Sequence, residues 1–167
     1  MSDTRPPATD SGHFRSVLGN FPTGVTVVTA IDDGKPVGMA IGSFTSVSLD
    51  PPLVAFLPTK DSSTWAAIER SGSFCVNILA DDQKDECGVF ASKAEDKFAA
   101  IDWSPTEDTG SPRLSGALAW IDCETEAVHD GGDHVIVVGR VKALEACRDC
   151  APLLFFQGKY GTFQGIS

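Results

Sequence analysis

The chain has 167 residues, is 42% hydrophobic, and carries a formal net charge of −10; that is enough for one domain burying about 70% of its extended surface. The negative balance argues against nucleic acid or an anionic membrane as partner, because a phosphate-rich surface demands a basic face. Any phosphate ligand must therefore be held by a local pocket.

Residues 1–10, rich in Pro, Thr and Asp, read as a disordered arm preceding a single domain over residues 11–167. The segment MSDTRPPATDSG lacks the apolar centre of a secretory signal, and no apolar run approaches the ~20 residues a membrane helix requires. A cytoplasmic location is expected, with Cys75, Cys87, Cys123, Cys147 and Cys150 reduced. Cys147 and Cys150 form a CxxC, yet no second pair stands at zinc-site spacing, and no metal site is expected.

Asp10 or Ser11 can cap a helix in which Phe14, Val17, Leu18 and Phe21 fall on one face. The β-branched run Val25–Ile31, the tight turn Asp33-Gly34 and the return from Val37 predict an antiparallel hairpin. Met39–Leu49 and Leu53–Leu57 then read as strands separated by Asp50-Pro51-Pro52, since proline lacks a ladder N–H and restricts the residue before it. Ser62 or Ser63 can open a helix whose apolar side is Trp65, Ala66 and Ile68 and which Ser71-Gly72 ends. Phe74–Leu79 is a strand with Asn77 in its middle. Asp81–Phe90 and Glu95–Ala100 read as short helices, and Ile101–Ser115 as a loop. The strands Ala117–Val128 and Val135–Leu144 flank a glycine-rich turn, and Pro152–Phe156 is a buried segment before a Gly158–Gly161 tail. Hairpins dominate and no βαβ alternation appears, so a mainly β, antiparallel barrel with a few short covering helices follows. No G-x-G-x-x-G stands between a strand and a helix, which removes the Rossmann route to a dinucleotide.

Ser43, Thr45, Ser46 and Ser48 interrupt Phe44, Val47 and Leu49 on both faces of their strand. This pattern suits either an edge strand whose hydroxyls bond the backbone or a surface for a flat heteroaromatic ring. Lys60, Ser62, Ser63 and Thr64 at a helix start are either an anion site or an ordinary N-cap beside a solvated lysine. No Ser-His-Asp or Cys-His set is evident.

The segments FPTGVTVVTA (21–30), GMAIGSFTSVSLDPPLVAF (38–56), STWAAIERSGSFCVNIL (63–79), DKF (96–98) and GGDH (131–134) together resemble the flavin reductase-like family over residues 13–163. The resemblance implies an FMN-binding split β-barrel with Greek-key connections, and a homodimer with flavin sites near the subunit interface. It implies that NADH (or NADPH) reduces FMN or FAD, with FMN preferred, and that reduced flavin passes to a separate monooxygenase of the aromatic- or steroid-ring hydroxylase kind. The absence of an arginine pair for a 2′-phosphate favours NADH. By the same resemblance Ser43, Phe44, Thr45, Ser46, Val47 and Ser48 line the isoalloxazine and ribityl chain. Lys60, Ser62, Ser63 and Thr64 hold the flavin phosphate, with Phe90, Ala91, Ser92, Lys97 and Phe98 as its second segment. His134 is the catalytic residue beside the nicotinamide, oriented by Asp133, and Tyr160 borders the NADH pocket. Trp65, Trp103 and Trp120 read as core or interface. Ile41-Gly42 departs from the family pattern of asparagine or threonine before SFTSVS, which leaves FMN against FAD open. The alternative is a flavin-binding storage or sensor module without NADH turnover; a split barrel holding haem or a pyridoxal-type phosphate fits the SFTSVSLDPPLV segment less well.

Overall fold

The computed structural model describes residues 7–167; residues 1–6 of the expected N-terminal arm lie outside the described residues. In chain order the elements are α1 (Ser11–Leu18), β1 (Thr23–Gly24), β2 (Thr26–Asp32), β3 (Lys35–Ile41), β4 (Thr45–Leu49), β5 (Pro52–Phe56), α2 (Ser63–Ser71) and β6 (Ser73–Ile78). After a single 3-10 turn at Asp81–Gln83 come α3 (Lys84–Ala91), β7 (Trp103–Pro105), β8 (Pro112–Leu114), β9 (Ala119–Gly131), β10 (His134–Ala146), β11 (Leu153–Phe156) and β12 (Lys159–Thr162).

Seven strands form one antiparallel sheet in the order β3-β2-β6-β9-β10-β5-β4. Its two edges, β3 and β4, are neighbours in the chain, joined only by residues 42–44. Four Cα steps span at most about 15 Å, whereas six inter-strand spacings across a flat sheet would take roughly 29 Å. The sheet therefore has to curl until its edges meet, and the result is a barrel split along the β3–β4 seam. The expected single strand Met39–Leu49 is thus two strands on opposite edges. Gly42 stands in that connection but no proline does, and the separation of the two edges is imposed by closure of the sheet.

The hairpins formed where their turn residues predict. Asp33 (φ 50°) and Gly34 (φ 74°) join β2 to β3, the pair of positive φ values that matches strand twist. Gly132 (φ 80°) and Asp133 join β9 to β10, with Gly131 opposite His134. Asp10 accepts the His13 N–H at 2.8 Å and caps α1. Ser62 does the same for Trp65 at 3.1 Å, and Gly72, at φ 74°, ends α2.

β2 is buried on both faces, which explains why TVVTAID lacks alternation. One face joins Phe56, Phe74, Val76 and Val137 inside the barrel, closed by Trp65 and Ile68 of α2. The other joins Leu79, Phe90, Phe98 and Leu114 under α3. Several expectations fail here. Ala67 rather than Ala66 is the buried alanine of α2. Residues 95–100 form turns, not a helix, because Phe98 folds inward against Phe90 (5.1 Å between centroids). The loop 101–115 contains the β7–β8 hairpin, and of PLLFF only Leu153 is buried. The apolar face of α1 is left uncovered, with Phe14, Val17, Leu18 and Phe21 all more than half exposed.

Candidate functional site

A line of concavities follows β3 and its continuation across the seam. At one end is an apolar cavity of about 670 Å³, walled by the α1–β1 segment (Leu18, Phe21, Pro22, Thr23) and by Gly42, Ser43, Phe44, Thr45 and Leu57. It shares Thr23 and Gly42 with a smaller hollow of about 150 Å³ beside Tyr160 and Cys87. That hollow shares Ala40 and Ala91 with a groove of about 610 Å³ between the start of α2 and the end of α3.

The groove unites two segments about thirty residues apart in the chain. Ser62, Ser63 and Thr64 line one wall; Phe90, Ala91, Ser92 and Lys97 line the other. First-turn N–H groups of a helix have no intrahelical acceptor, and in α2 only that of Trp65 is capped by Ser62 Oγ. Opposite them, Lys97 Nζ donates to Phe90 O at 3.0 Å and to Gly38 O at 3.3 Å. An ammonium has three donors, so one remains for the groove. Among the described residues no carboxylate pairs with Lys97, and burial holds its pKa below the ordinary lysine value. Lys97 reaches this position because Gly38 lets α3 approach: a Cβ there would stand 2.9 Å from the Phe90 ring.

Other predicted residues are placed differently. Ser43 Oγ donates to Leu57 O at 3.1 Å and accepts the Leu57 N–H at 3.2 Å, tying the seam to the end of β5. Thr45 Oγ1 donates to Ser46 O at 3.2 Å. Ser46, Val47 and Ser48 lie on the edge strand β4, where Val47 sits at a register shift, and do not line the apolar cavity. β4 is an edge of the sheet, and of residues 43–48 only Ser43, Phe44 and Thr45 line the apolar cavity. Ser92 Oγ closes its own turn, donating to Val89 O at 2.7 Å and accepting the Ala94 N–H at 3.2 Å. The Phe90 and Phe98 rings are core side chains.

Lys60 departs from the expected phosphate wall. Its ammonium pairs with Asp130 of β9, and its N–H donates to Asp133 O at 3.0 Å. Thr59 bridges His134, and the Val135 N–H donates to Pro58 O at 3.1 Å. Loop 58–60 thus clamps the β9–β10 hairpin tip. His134 there has Nδ1 2.7 Å from Asp133 Oδ1, which holds the Asp133 carboxyl below the usual carboxylate range. His134 is not itself a groove wall, but Thr59 beside it is. Tyr160 lies on the far side of the groove, its hydroxyl 3.3 Å from Cys87 Sγ; that bond, with partial burial, pushes its pKa up to about 12. Among the described residues no hydrogen bond joins it to His134.

Sequence reasoning missed Met39, Ala40, Thr59, Asp61 and Ala94 as groove walls, while Lys93, which the resemblance places beside Ser92 in the second phosphate segment, is one of them. The available signal was Gly38 immediately before Met39-Ala40, a close-approach residue in mid-strand. The set fits a phosphorylated, partly apolar ligand. Hydroxyls, open N–H groups and an unpaired cation stand at one place, and an apolar cavity lies along the same strand.

Residues 18–164 match the Flavin reductase like domain family. The reductase subunit HsaB of a flavin-dependent monooxygenase from Rhodococcus jostii is 58% identical over 153 residues, 92% of this chain and 78% of that protein. Among solved structures, nitrilotriacetate monooxygenase component B from Mycobacterium thermoresistibile is similar at a TM-score of 0.90 and 52% identity, covering 94% of this chain and 88% of that one. The NADH:FAD oxidoreductase SgcE6 from Streptomyces globisporus is similar at a TM-score of 0.91 and 34% identity, covering 99% and 100%.

Proposed function

The chain belongs to the flavin reductase-like family, and from that premise we propose that it is an NADH-dependent flavin reductase supplying reduced flavin to a separate monooxygenase. The observation that carries the proposal is the groove in which Ser63, Thr64 and the third donor of Lys97 converge; Asp61 also walls it, but among the described residues no carboxylate pairs with Lys97. There the flavin phosphate is held, with the ribityl chain passing Ala40 and Ala91 and the ring reaching Ser43, Phe44 and Thr45. When bound, the flavin supplies a ring that accepts hydride from the nicotinamide, so the protein needs no nucleophile of its own.

The residues of the chain bind and orient. Lys97 neutralises part of the phosphate charge in a molecule whose overall field opposes it. Ser43 fixes the seam by its paired bonds to Leu57, which keeps Phe44 and Thr45 facing the cavity. His134 is held at the hairpin tip by Asp133, where it can donate to a carboxamide or phosphate of NADH. Lys60 serves as a positioning residue for that hairpin rather than as a phosphate ligand. That SgcE6, a family neighbour, is an NADH:FAD oxidoreductase supports NADH as the donor. HsaB, as the reductase subunit of a flavin-dependent monooxygenase, supports a separate oxygenase as recipient.

We also propose a homodimer. The uncovered face of α1 presents Phe14, Val17, Leu18 and Phe21, and its end walls the apolar cavity; a second copy seated there would bury these side chains next to the flavin ring. Sedimentation of the protein at twice the chain mass, and at the chain mass for Phe14→Glu with Leu18→Glu, is the expected result.

The activity is tested by following NADH absorbance with catalytic FMN or FAD in air. Flavin-dependent loss of NADH is expected. Binding of flavin with no loss of NADH or NADPH would leave a storage or sensor module instead.

A further inference from the structure

The cysteines fall into two groups. Cys75, Cys87 and Cys123 are buried, and burial pushes the Cys123 thiol up to about 12; thiols in such surroundings are inert. Cys147 and Cys150 are both exposed, in the connection that carries the chain from β10 in the seven-stranded sheet to β11 in the sheet β1-β11-β12. The fastenings of this connection lie among the two thiols. The N–H groups of Cys147 and Arg148 both donate to Leu118 O, at 2.7 and 3.2 Å. The Arg148 side chain, between the cysteines, donates to the two Asp82 carboxylate oxygens at 3.0 and 2.8 Å and to Gly116 O at 2.7 Å. Ala151 O then accepts the Asp81 N–H at 3.0 Å. The segment is thus tied to the turn that opens α3, and Phe90 and Ala91 at the far end of α3 wall the groove.

The two thiols are set differently. Cys147 Sγ donates to Glu145 O at 3.9 Å, which keeps its proton in place. Cys150 lies in the field of Arg148, whose pKa is raised first by its bond to Asp82, against the effect of burial, with Cys150 and Asp81 adding to the rise. A neighbouring guanidinium favours the thiolate, which is the nucleophilic form.

Resting on the flavin reading above, we infer that Cys147 and Cys150 are a hydroperoxide-responsive dithiol whose closure to a disulfide slows flavin reduction. The proposed activity supplies the oxidant. Dioxygen takes two electrons and two protons from reduced flavin that no oxygenase has captured, and hydrogen peroxide results. The Cys150 thiolate attacks one peroxide oxygen; an S–O bond forms, the O–O bond breaks, and the departing hydroxide takes a proton to leave as water. Cys147 then attacks the Cys150 sulfur, the S–S bond forms, and the S–O oxygen leaves as water with the Cys147 proton. Two thiols have lost two electrons, and one peroxide has gained them. A disulfide holds its Cα atoms about 4.4–6.8 Å apart, whereas three steps of extended chain span roughly 10 Å. Residues 147–149 form no turn, and the chain bends only at Cys150. Closure therefore draws Cys150 back toward Cys147 and loads the Asp81 and Asp82 fastenings at the start of α3.

The test exposes the protein to a few equivalents of hydrogen peroxide and reads peptide masses and flavin-dependent NADH turnover, before and after dithiothreitol. In wild type the peptide holding Cys147 and Cys150 should lose two hydrogens and turnover should fall several-fold, with dithiothreitol restoring both. The double variant Cys147→Ser, Cys150→Ser changes two exposed side chains; it should match untreated wild type and keep its turnover in peroxide. Cys147→Ser alone should hold a Cys150 sulfenic acid that dimedone traps. No disulfide within this peptide, a disulfide that leaves turnover unchanged, or equal slowing of the double variant overturns the inference and leaves the reductase reading standing. If the untreated protein turns over no NADH, the reductase reading fails and the regulatory step falls with it.

Discussion

Two polar regions flank β2, and they differ in where their hydrogen bonds go. Around Asn77 the side-chain amide and the Thr29 hydroxyl are bonded within the protein. The amide donates to Val27 O at 3.1 Å, its oxygen accepts the Leu114 N–H at 2.8 Å, and Thr29 Oγ1 donates to Pro112 O at 2.5 Å. This set pins the β7–β8 hairpin onto the barrel, and its members are buried. In the groove beside α2 and α3 the polar groups are turned toward a concavity and left with donors to spare. A polar side chain in mid-strand is thus a fold device in one place, while the polar groups of the groove keep donors free. The distinction lies in whether partners are present, not in residue type.

Exchanging the properties of the two regions gives the largest expected effects. Asn77→Leu should destabilise the protein by about 3 kcal/mol, because the Leu114 N–H and the Val27 carbonyl lose their partner in the core. The urea midpoint reports this, and flavin affinity of the remaining folded protein should be unchanged. Lys97→Met should do the reverse. Flavin binding weakens by about 1.5–3 kcal/mol, or roughly 10- to 150-fold in Kd, while the urea midpoint changes little.

A smaller effect tests the placement of the groove wall. Gly38→Ala sets a Cβ against the Phe90 ring at 2.9 Å and must shift the end of α3, with an overpacking cost of about 1–2 kcal/mol and a several-fold loss of flavin affinity. The pH response is smaller again. Burial lowers the pKa of Lys97, so its ammonium loses its proton at a lower pH than a free lysine does. Flavin affinity should be constant below that depressed pKa and fall as the pH rises through it. Lys97→Arg, which stays charged, should flatten the alkaline limb. The least effect is expected from Lys60→Met, since both members of its pair with Asp130 are exposed. Flavin Kd should hold, and the KM for NADH should rise a few-fold through loosening of the His134 hairpin.

What was legible in the sequence was what is local. Ser62 and Gly72 bound α2, and Asp33-Gly34 and Gly132-Asp133 set two hairpins, because caps and turns are decided by neighbouring residues. The division of Met39–Leu49 was hidden, since only closure of the sheet separates β3 from β4. The strands β7 and β8 were too short, at three residues each and with prolines, to stand out from a loop. The period of α1 marked an apolar face without saying what covers it. Of the candidate site, Ser62 to Thr64 and Phe90 to Lys97 were brought together as expected. The pairing of Lys60 with Asp130 was not legible, because the two lie 70 residues apart.

The central claim is that Lys97 and the first turn of α2 hold the phosphate of the flavin. It is tested most directly by the ratio of riboflavin to FMN dissociation constants for wild type and Lys97→Met. Wild type should bind FMN far more tightly than riboflavin, and the variant should bring the two nearly together by weakening FMN alone. An unchanged ratio in the variant would contradict the account.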